Sequence, residues 1–296
     1  MSKKYPYDTS QVKSFSKCPF AFFIKYVNGF DLVKRESSYH FEFGTRFHKF
    51  LEDYHKHRKI HPSIKFAVSI AYLNDLWKDY VCDPSEEDKT AENGKQLCLQ
   101  YLKHWEDIDG KFITVGVEEQ VQLDGVHEPY VVKLDTVVEQ KGQYYGVEHK
   151  STTVIRMGYF NPFKTDLQID AQCLAIRQKY GSCSGIIIDV AGVKLYKRKR
   201  KDGSGPGLIC DFERRPLCRT NLQMDDAILQ MNSWLRRMKA ASLQKFFEKN
   251  KGGFSCYFPK ECKHTELCQM SKGSELDPQF IVDTYEKVNP FAYLEE

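Results

Sequence analysis

The segment that most restricts what this chain can become runs from Lys133 to Lys150, where β-branched and aromatic residues alternate with polar ones around a Lys141-Gly142 pair. A two-residue loop at that pair predicts a hairpin with Gln140 opposite Gln143. Counting outward from there sets Asp135 across from Glu148. Side chains alternate faces along a strand, so Lys150 shares a face with Glu148. Val132, Leu134, Val138, Tyr145 and Val147 occupy the other face. One face can therefore pack while the other carries two carboxylates and an amine.

Facing carboxylates repel unless a cation lies between them, and their oxygens suit a hard divalent ion such as magnesium. Such an ion polarises a phosphodiester and lowers the pKa of its water, and a neighbouring lysine can orient that water or stabilise developing negative charge. A second reading fits the segment equally well. In it the hairpin is a surface strand pair whose Lys133 and Lys150 neutralise Asp135 and Glu148 through diagonal contacts.

The remaining pattern predicts an α/β fold. From Ser10 to about Trp105 apolar residues recur at helical spacing, clearest in Phe41 to Tyr54 and Phe66 to Tyr80. Near Phe112 the period changes to two, which predicts strands through Val115 and Val117, Val131 to Val138 and Tyr144 to Val147. A helix is expected from Asp166 to Tyr180, strands at Gly185 to Val190 and Leu208 to Phe212, and a long amphipathic helix from Leu222 to Phe247. From Gly252 onward no periodicity is evident. The expected organisation is one compact unit with a helical lobe at 1–110, a core at 111–220 and a closing helix and tail at 221–296. No apolar run approaches the roughly 20 residues that span a bilayer, and the start of the chain lacks a signal-like apolar stretch. A cytoplasmic protein is expected, without a membrane partner. With 44 basic and 40 acidic residues the net charge is only +4, so any argument for a polyanionic partner rests on local charge.

Asp135 followed by Glu148-His149-Lys150 resembles the split signature of the PD-(D/E)xK nucleases. Gly44-Thr45-Arg46-Phe47-His48 is similar to the Gly-x-x-x-His helix of their RecB-like branch. The resemblance implies a restriction-endonuclease-like mixed sheet flanked by helices. It also implies that His48 joins Asp135 and Glu148 in binding Mg2+ or Mn2+, with the backbone carbonyl of His149 contributing. Gln168 to Gln172 resembles the family's Gln-x-x-x-Tyr motif, with Gln172 in the tyrosine's place. Gln168 is expected to position the active site or its substrate.

Ten cysteines are many for a cytosolic chain, where clustered thiols more often bind metal than form disulfides. Cys82, Cys98, Cys173, Cys183, Cys210 and Cys218 are scattered and read as small buried hydrophobes. Cys256, Cys262 and Cys268 follow at six-residue intervals, and Cys18 lies near the other terminus. Four thiolates can hold an iron-sulfur cluster. This one-plus-three arrangement resembles the cluster-bearing RecB-like nucleases, including AddB and the CRISPR-associated exonucleases, which implies a 4Fe-4S cluster stapling the chain ends. Zn2+, with His264 as a further ligand, is the alternative.

Lys194, Lys197, Arg198, Lys199, Arg200 and Lys201 form the densest basic segment, with phosphates as its natural partner and a solvated loop as the plain reading. Arg236, Arg237 and Lys239 extend the same track. No Gly-x-x-x-x-Gly-Lys-Ser/Thr occurs, which excludes a P-loop ATPase. The expectation is a metal-dependent deoxyribonuclease, an exonuclease by its resemblance, acting on single strands or duplex ends. Recombination, repair or phage DNA processing, with proteins of those pathways as partners and a bacterial or phage-infected cell as setting, would suit it. The alternatives are a non-catalytic nucleic-acid-binding protein on the same fold and a zinc-stabilised interaction scaffold.

Overall fold

Strong local signals open the chain. Asp8 caps α1 (Thr9–Lys17), its carboxylate accepting the Gln11 N–H at 2.7 Å. Pro19 opens α2 (Pro19–Phe22), where its missing N–H costs nothing. The computed structural model describes residues 5–33, 39–82, 87–197, 206–250, 256 and 262–294. Its further elements are β1 (Phe30–Leu32), α3 (Tyr39–Ile60), α4 (Ile70–Leu76), α5 (Ala91–Asp109), β2 (Ile113–Gln122), β3 (Val131–Gln140) and β4 (Gln143–Thr152). There follow α6 (Leu167–Tyr180), β5 (Gly185–Tyr196), β6 (Gly207–Leu217), α7 (Asn221–Gln244), α8 (Thr265–Met270), α9 (Pro278–Thr284) and β7 (Tyr285–Lys287).

Five strands form one mixed sheet in the order β2-β3-β4-β5-β6. β3 and β4 are antiparallel, β4 and β5 parallel, and β5 and β6 antiparallel. A parallel pair needs a crossover connection, and α6 supplies it. This helix begins at Asp166, whose side chain accepts the Gln168 N–H at 2.9 Å, and ends at Gly181 with φ +84°. The architecture is α/β, a five-stranded mixed sheet with flanking helices, consistent with the restriction-endonuclease-like fold that the resemblance implied. Strand β5 runs six residues past the expected Val190, through Lys194 to Tyr196, because its apolar run pairs with β6 along its whole length. Two expectations are corrected. The short β1 escaped the helical reading of the first third, and it pairs with β7, Phe30 facing Lys287. The tail is not uniformly irregular, since α8, α9 and β7 lie within it.

Contacts divide the chain into two units. One comprises Glu36–Val121 and Val132–Met224. Its core joins Phe43, Phe47, Phe50, Leu51 and Tyr54 of α3 to Leu97, Cys98, Tyr101, Leu102 and Trp105 of α5, above Ala191 and Val193 of β5. The other comprises Met1–Arg35, Gln122–Val131 and Asp225–Glu296. There Phe20, Ile24, Leu267, Ile281 and Tyr285 form a cluster against which Cys18 and Cys268 pack. Among the described residues no helix is long and apolar enough to cross a membrane.

Candidate active site

The hairpin turns as its residues require. Lys141 and Gly142 have φ of +52° and +77°, the two left-handed positions of a two-residue turn. Gln140 faces Gln143 and the ladder runs to Thr136 opposite Val147, which makes Asp135 and Glu148 the next facing positions. The His149 N–H donates to Asp135 Oδ2 at 3.1 Å.

Glu148 is 2% exposed, so its carboxylate needs partners. Gln168 Nε2 donates to Oε1 at 2.7 Å and Gln172 Nε2 to Oε2 at 2.5 Å, while the Lys150 ammonium contacts Oε1 directly. Both glutamines reach it because α6 lies close over β4. A Cβ at Gly146 would stand 2.6 Å from Ile186 Cδ1 of β5 and 2.8 Å from Ile176 Cδ1 of α6, so the bare glycine leaves room for these two side-chain ends. Ile176, Gln172 and Gln168 follow at four-residue spacing along one helix stripe. Gln172 therefore holds Glu148 as directly as Gln168 does. It stands where the family motif has tyrosine, and its place one turn from Gln168 was the signal.

Asp135 is held differently. Lys133 pairs with Glu118 at 2.9 Å and Lys150 with Glu148, and among the described residues no lysine or arginine pairs with Asp135. Lys150 thus neutralises Glu148, as a self-neutralised strand pair requires, and acts on Asp135 only through its charge, while Lys133 turns to Glu118. The nearest cationic candidate is His48, whose Nδ1 is 3.9 Å from Asp135 Oδ2 and whose ring also hydrogen-bonds the His149 backbone. α3 can deliver His48 because its Gly44 turn lies against β4, where a methyl would meet Ser151 Oγ at 3.4 Å.

The electrostatics follow from burial and neighbours. Burial, with His149 and the Lys150 ammonium nearby, pushes His48 down to about 4, so at neutral pH the ring is uncharged with a lone pair to offer. Burial raises the Asp135 carboxyl, and the charge of Glu148 raises it further. Burial alone would raise Glu148 too, but Lys150 and the bond from Gln172 outweigh it and hold that carboxyl down. Glu148 in turn outweighs the effect of burial on Lys150 and keeps its ammonium protonated.

A neutral imidazole, an anion held down and a carboxyl strained by that anion are the donor chemistry of a hard divalent site. Gln172 Oε1 is a further buried acceptor without a hydrogen-bond donor. These groups fit a magnesium or manganese ion. Among the described residues no three His, Cys, Asp or Glu side chains are drawn together tightly enough to hold an ion as they stand. Glu148 is committed instead to its glutamines and Lys150.

The His149 side chain lies 2% exposed next to Asp189 at the equivalent position of β5, its ring edge-on to His48 with centroids 6.3 Å apart, while its backbone N–H holds Asp135. Asp189 was not anticipated. A charged residue in the middle of the apolar run Gly185 to Ala191 was the signal that could have found it.

In the other unit, Cys18 and Cys268 pack on one apolar cluster, and the Cys262 N–H donates to the Cys256 carbonyl at 2.8 Å. Asn250 links these segments, its amide donating to the Lys17 carbonyl at 3.2 Å and its carbonyl accepting from the Cys256 thiol at 3.0 Å. His264 is turned to Tyr285 OH at 3.0 Å. Of the scattered cysteines, Cys98 and Cys173 are buried as expected, Cys82, Cys183 and Cys210 only partly so. Cys218 is exposed, a correction to the buried reading, because it follows the last residue of β6. Arg198, Lys199, Arg200 and Lys201 lie outside the described residues. Lys194 and Lys197 are paired with Asp88 and Glu87 at 2.7 and 2.5 Å, and Lys239 with Glu128 at 2.5 Å.

A solved structure described as a candidate exonuclease from Eubacterium rectale is similar to this chain, with 12% identity over 89% of this chain and 94% of that one and a TM-score of 0.49. No curated protein matches the sequence. The family model of the PD-(D/E)XK nuclease superfamily matches residues 9–269, a span that includes His48, the whole carboxylate hairpin and α6. The chain belongs to the PD-(D/E)XK nuclease superfamily.

Proposed function

We propose that the chain is a Mg2+- or Mn2+-dependent deoxyribonuclease whose metal is held by His48, Asp135, Glu148 and the backbone carbonyl of His149. The observation that carries this is the half-buried carboxyl of Asp135, beside the ionised Glu148 and held, among the described residues, only by the His149 N–H and an uncharged His48. A structural hairpin has no use for that repulsion, whereas a bound divalent ion removes it. When bound, the ion supplies charge to the phosphodiester oxygens and acidity to its water. Lys150, kept protonated and 33% exposed at its side chain, orients the attacking water or steadies the charge that develops on phosphorus oxygens. Gln168 and Gln172 hold both oxygens of Glu148, which fixes its direction.

DNA ends or single strands as substrate, exonuclease action, and a place in recombination, repair or phage DNA processing in the cytoplasm follow from the RecB-like signature. The basic segment from Lys197 through Arg198, Lys199, Arg200 and Lys201 is assigned to phosphate contacts. A 4Fe-4S cluster on Cys18, Cys256, Cys262 and Cys268 is proposed on the spacing of these residues and on the links that join their segments. End-labelled single- and double-stranded DNA incubated with the anaerobically purified protein tests the reading. Cleavage is expected only with Mg2+ or Mn2+, releasing short products from ends, and it should vanish in a folded Lys150→Ala variant. Metal-independent DNA binding without cleavage would favour a non-catalytic protein instead.

A further inference from the structure

Behind the carboxylate hairpin lies a charged network that the hydrolysis chemistry does not use. His149 Nδ1 stands 2.9 Å from Asp189 Oδ2, and Thr136 Oγ1 stands 3.4 Å from the other ring nitrogen. The same Asp189 oxygen accepts from Tyr101 OH at 2.5 Å, and Arg214 Nε lies 3.1 Å from Oδ1. Arg214 also donates to Tyr101 OH at 2.8 Å, pairs with Asp109 and sits 4.1 Å over the Trp105 ring. His55, two turns along α3 from His48, stacks on His149 with ring centroids 5.3 Å apart. His149, Asp189, Tyr101 and Asp109 are all 4% exposed or less.

Burying an ion network is a poor route to stability, since apolar residues of similar volume usually serve as well or better. Groups from α3, α5, β5 and β6 nevertheless converge on one imidazole. The backbone of that residue is what the front of the site uses: its N–H holds Asp135 Oδ2 at 3.1 Å, and His48 hydrogen-bonds to it as well. Asp189 on one ring nitrogen and Thr136 of β3 near the other hold the imidazole between them and tie β3 to β4 beside Asp135. We infer that Asp189 is a positioning residue, which with Tyr101 and Arg214 locks the His149 ring and so sets Asp135 and His48 for the divalent ion. This rests on the reading of the front face as a metal-dependent nuclease site.

The test uses Asp189→Asn and Tyr101→Phe in the full-length protein. It measures steady-state cleavage of a labelled oligonucleotide, Mn2+ affinity by calorimetry and the ring 15N signals of His149. Partners behind metal ligands typically affect affinity or rate by roughly 10- to 100-fold. Asp189→Asn should therefore lower kcat and weaken Mn2+ binding on that scale, leave the oligonucleotide KM unchanged and alter the His149 tautomer signals. Tyr101→Phe, which keeps every charge, should move the same quantities less far, and it decides the question if Asp189→Asn fails to fold. Wild-type kcat and Mn2+ affinity in both folded variants, even with a lowered Tm, would overturn the positioning role. A wild type that neither cleaves DNA nor binds Mn2+ would instead overturn the reading of the site itself.

Discussion

Replacing Asp135 by asparagine should stabilise the metal-free protein while abolishing its activity. Burial and the charge of Glu148 push the Asp135 carboxyl up to about 7 from its ordinary 3.8. At about 1.4 kcal/mol per pH unit, that interval corresponds to roughly 4 kcal/mol spent ionising Asp135 in the folded state. Asparagine removes the charge but leaves a polar amide to desolvate, so about half, roughly 2 kcal/mol, is the expected gain. It can still accept the His149 N–H that Asp135 accepts at 3.1 Å. The sign with pH follows. A carboxyl whose folded pKa is raised binds its proton more tightly in the folded chain, so metal-free stability falls as pH climbs from about 4 to about 7. The advantage of Asp135→Asn should be full at pH 8 and shrink toward nothing at pH 4. Urea unfolding in chelator, followed by the fluorescence of the three tryptophans, measures it at each pH. Saturating Mn2+ should reverse the ranking, because an ion that binds only the folded wild type stabilises it alone. An asparagine variant less stable than wild type at pH 8, or equally favoured at every pH, would refute the electrostatic reasoning.

Gly146→Ala would drive a methyl into Ile186 and Ile176 and should cost about 1–3 kcal/mol by overpacking. Where Ile176 cannot turn aside and α6 is displaced with its glutamines, kcat should fall too, and an unaltered rate in kinetics at saturating substrate would show that the side chains alone absorb the methyl. Gln172→Ala leaves Glu148 Oε2 short of its donor, with an expected loss of about 1–2 kcal/mol in urea unfolding and an upward shift of the Glu148 carboxyl that moves the acid limb of the activity profile to higher pH. Cys262→Ser, purified anaerobically, should lose most of its bound iron and several degrees of Tm while its initial cleavage rate stays within about twofold of wild type. Unchanged iron content would remove Cys262 from any cluster.

The hairpin was legible because two-residue turns fix register, and register fixes which carboxylates meet. Lys141 and Gly142 adopt the conformation that the pair demands, and Asp135 falls opposite Glu148. The helix over Gln168 was legible for similar local reasons, with Asp166 and Gly181 marking its ends. What remained hidden was non-local. The pairing of β1 with β7 joins residues more than 250 positions apart, and neither three-residue strand carries a period of its own. Gln172 stood in the tyrosine's place of the motif, and its hold on Glu148 emerged only with α6 lying over Gly146. Asp189, Tyr101 and Arg214 lie in three separate elements, so nothing in their individual spacing points to their meeting at His149.

The central claim is that His48, Asp135 and Glu148 serve a single divalent ion while Lys150 serves the reaction. Calorimetric titration of Mn2+ into wild type and four variants tests it most directly. Wild type and Lys150→Ala should bind one ion with similar affinity, although only wild type cuts DNA. Asp135→Asn and Glu148→Gln should lose that binding, and His48→Ala should weaken it at least tenfold. Undiminished Mn2+ binding after replacement of Asp135 and Glu148 would contradict the account.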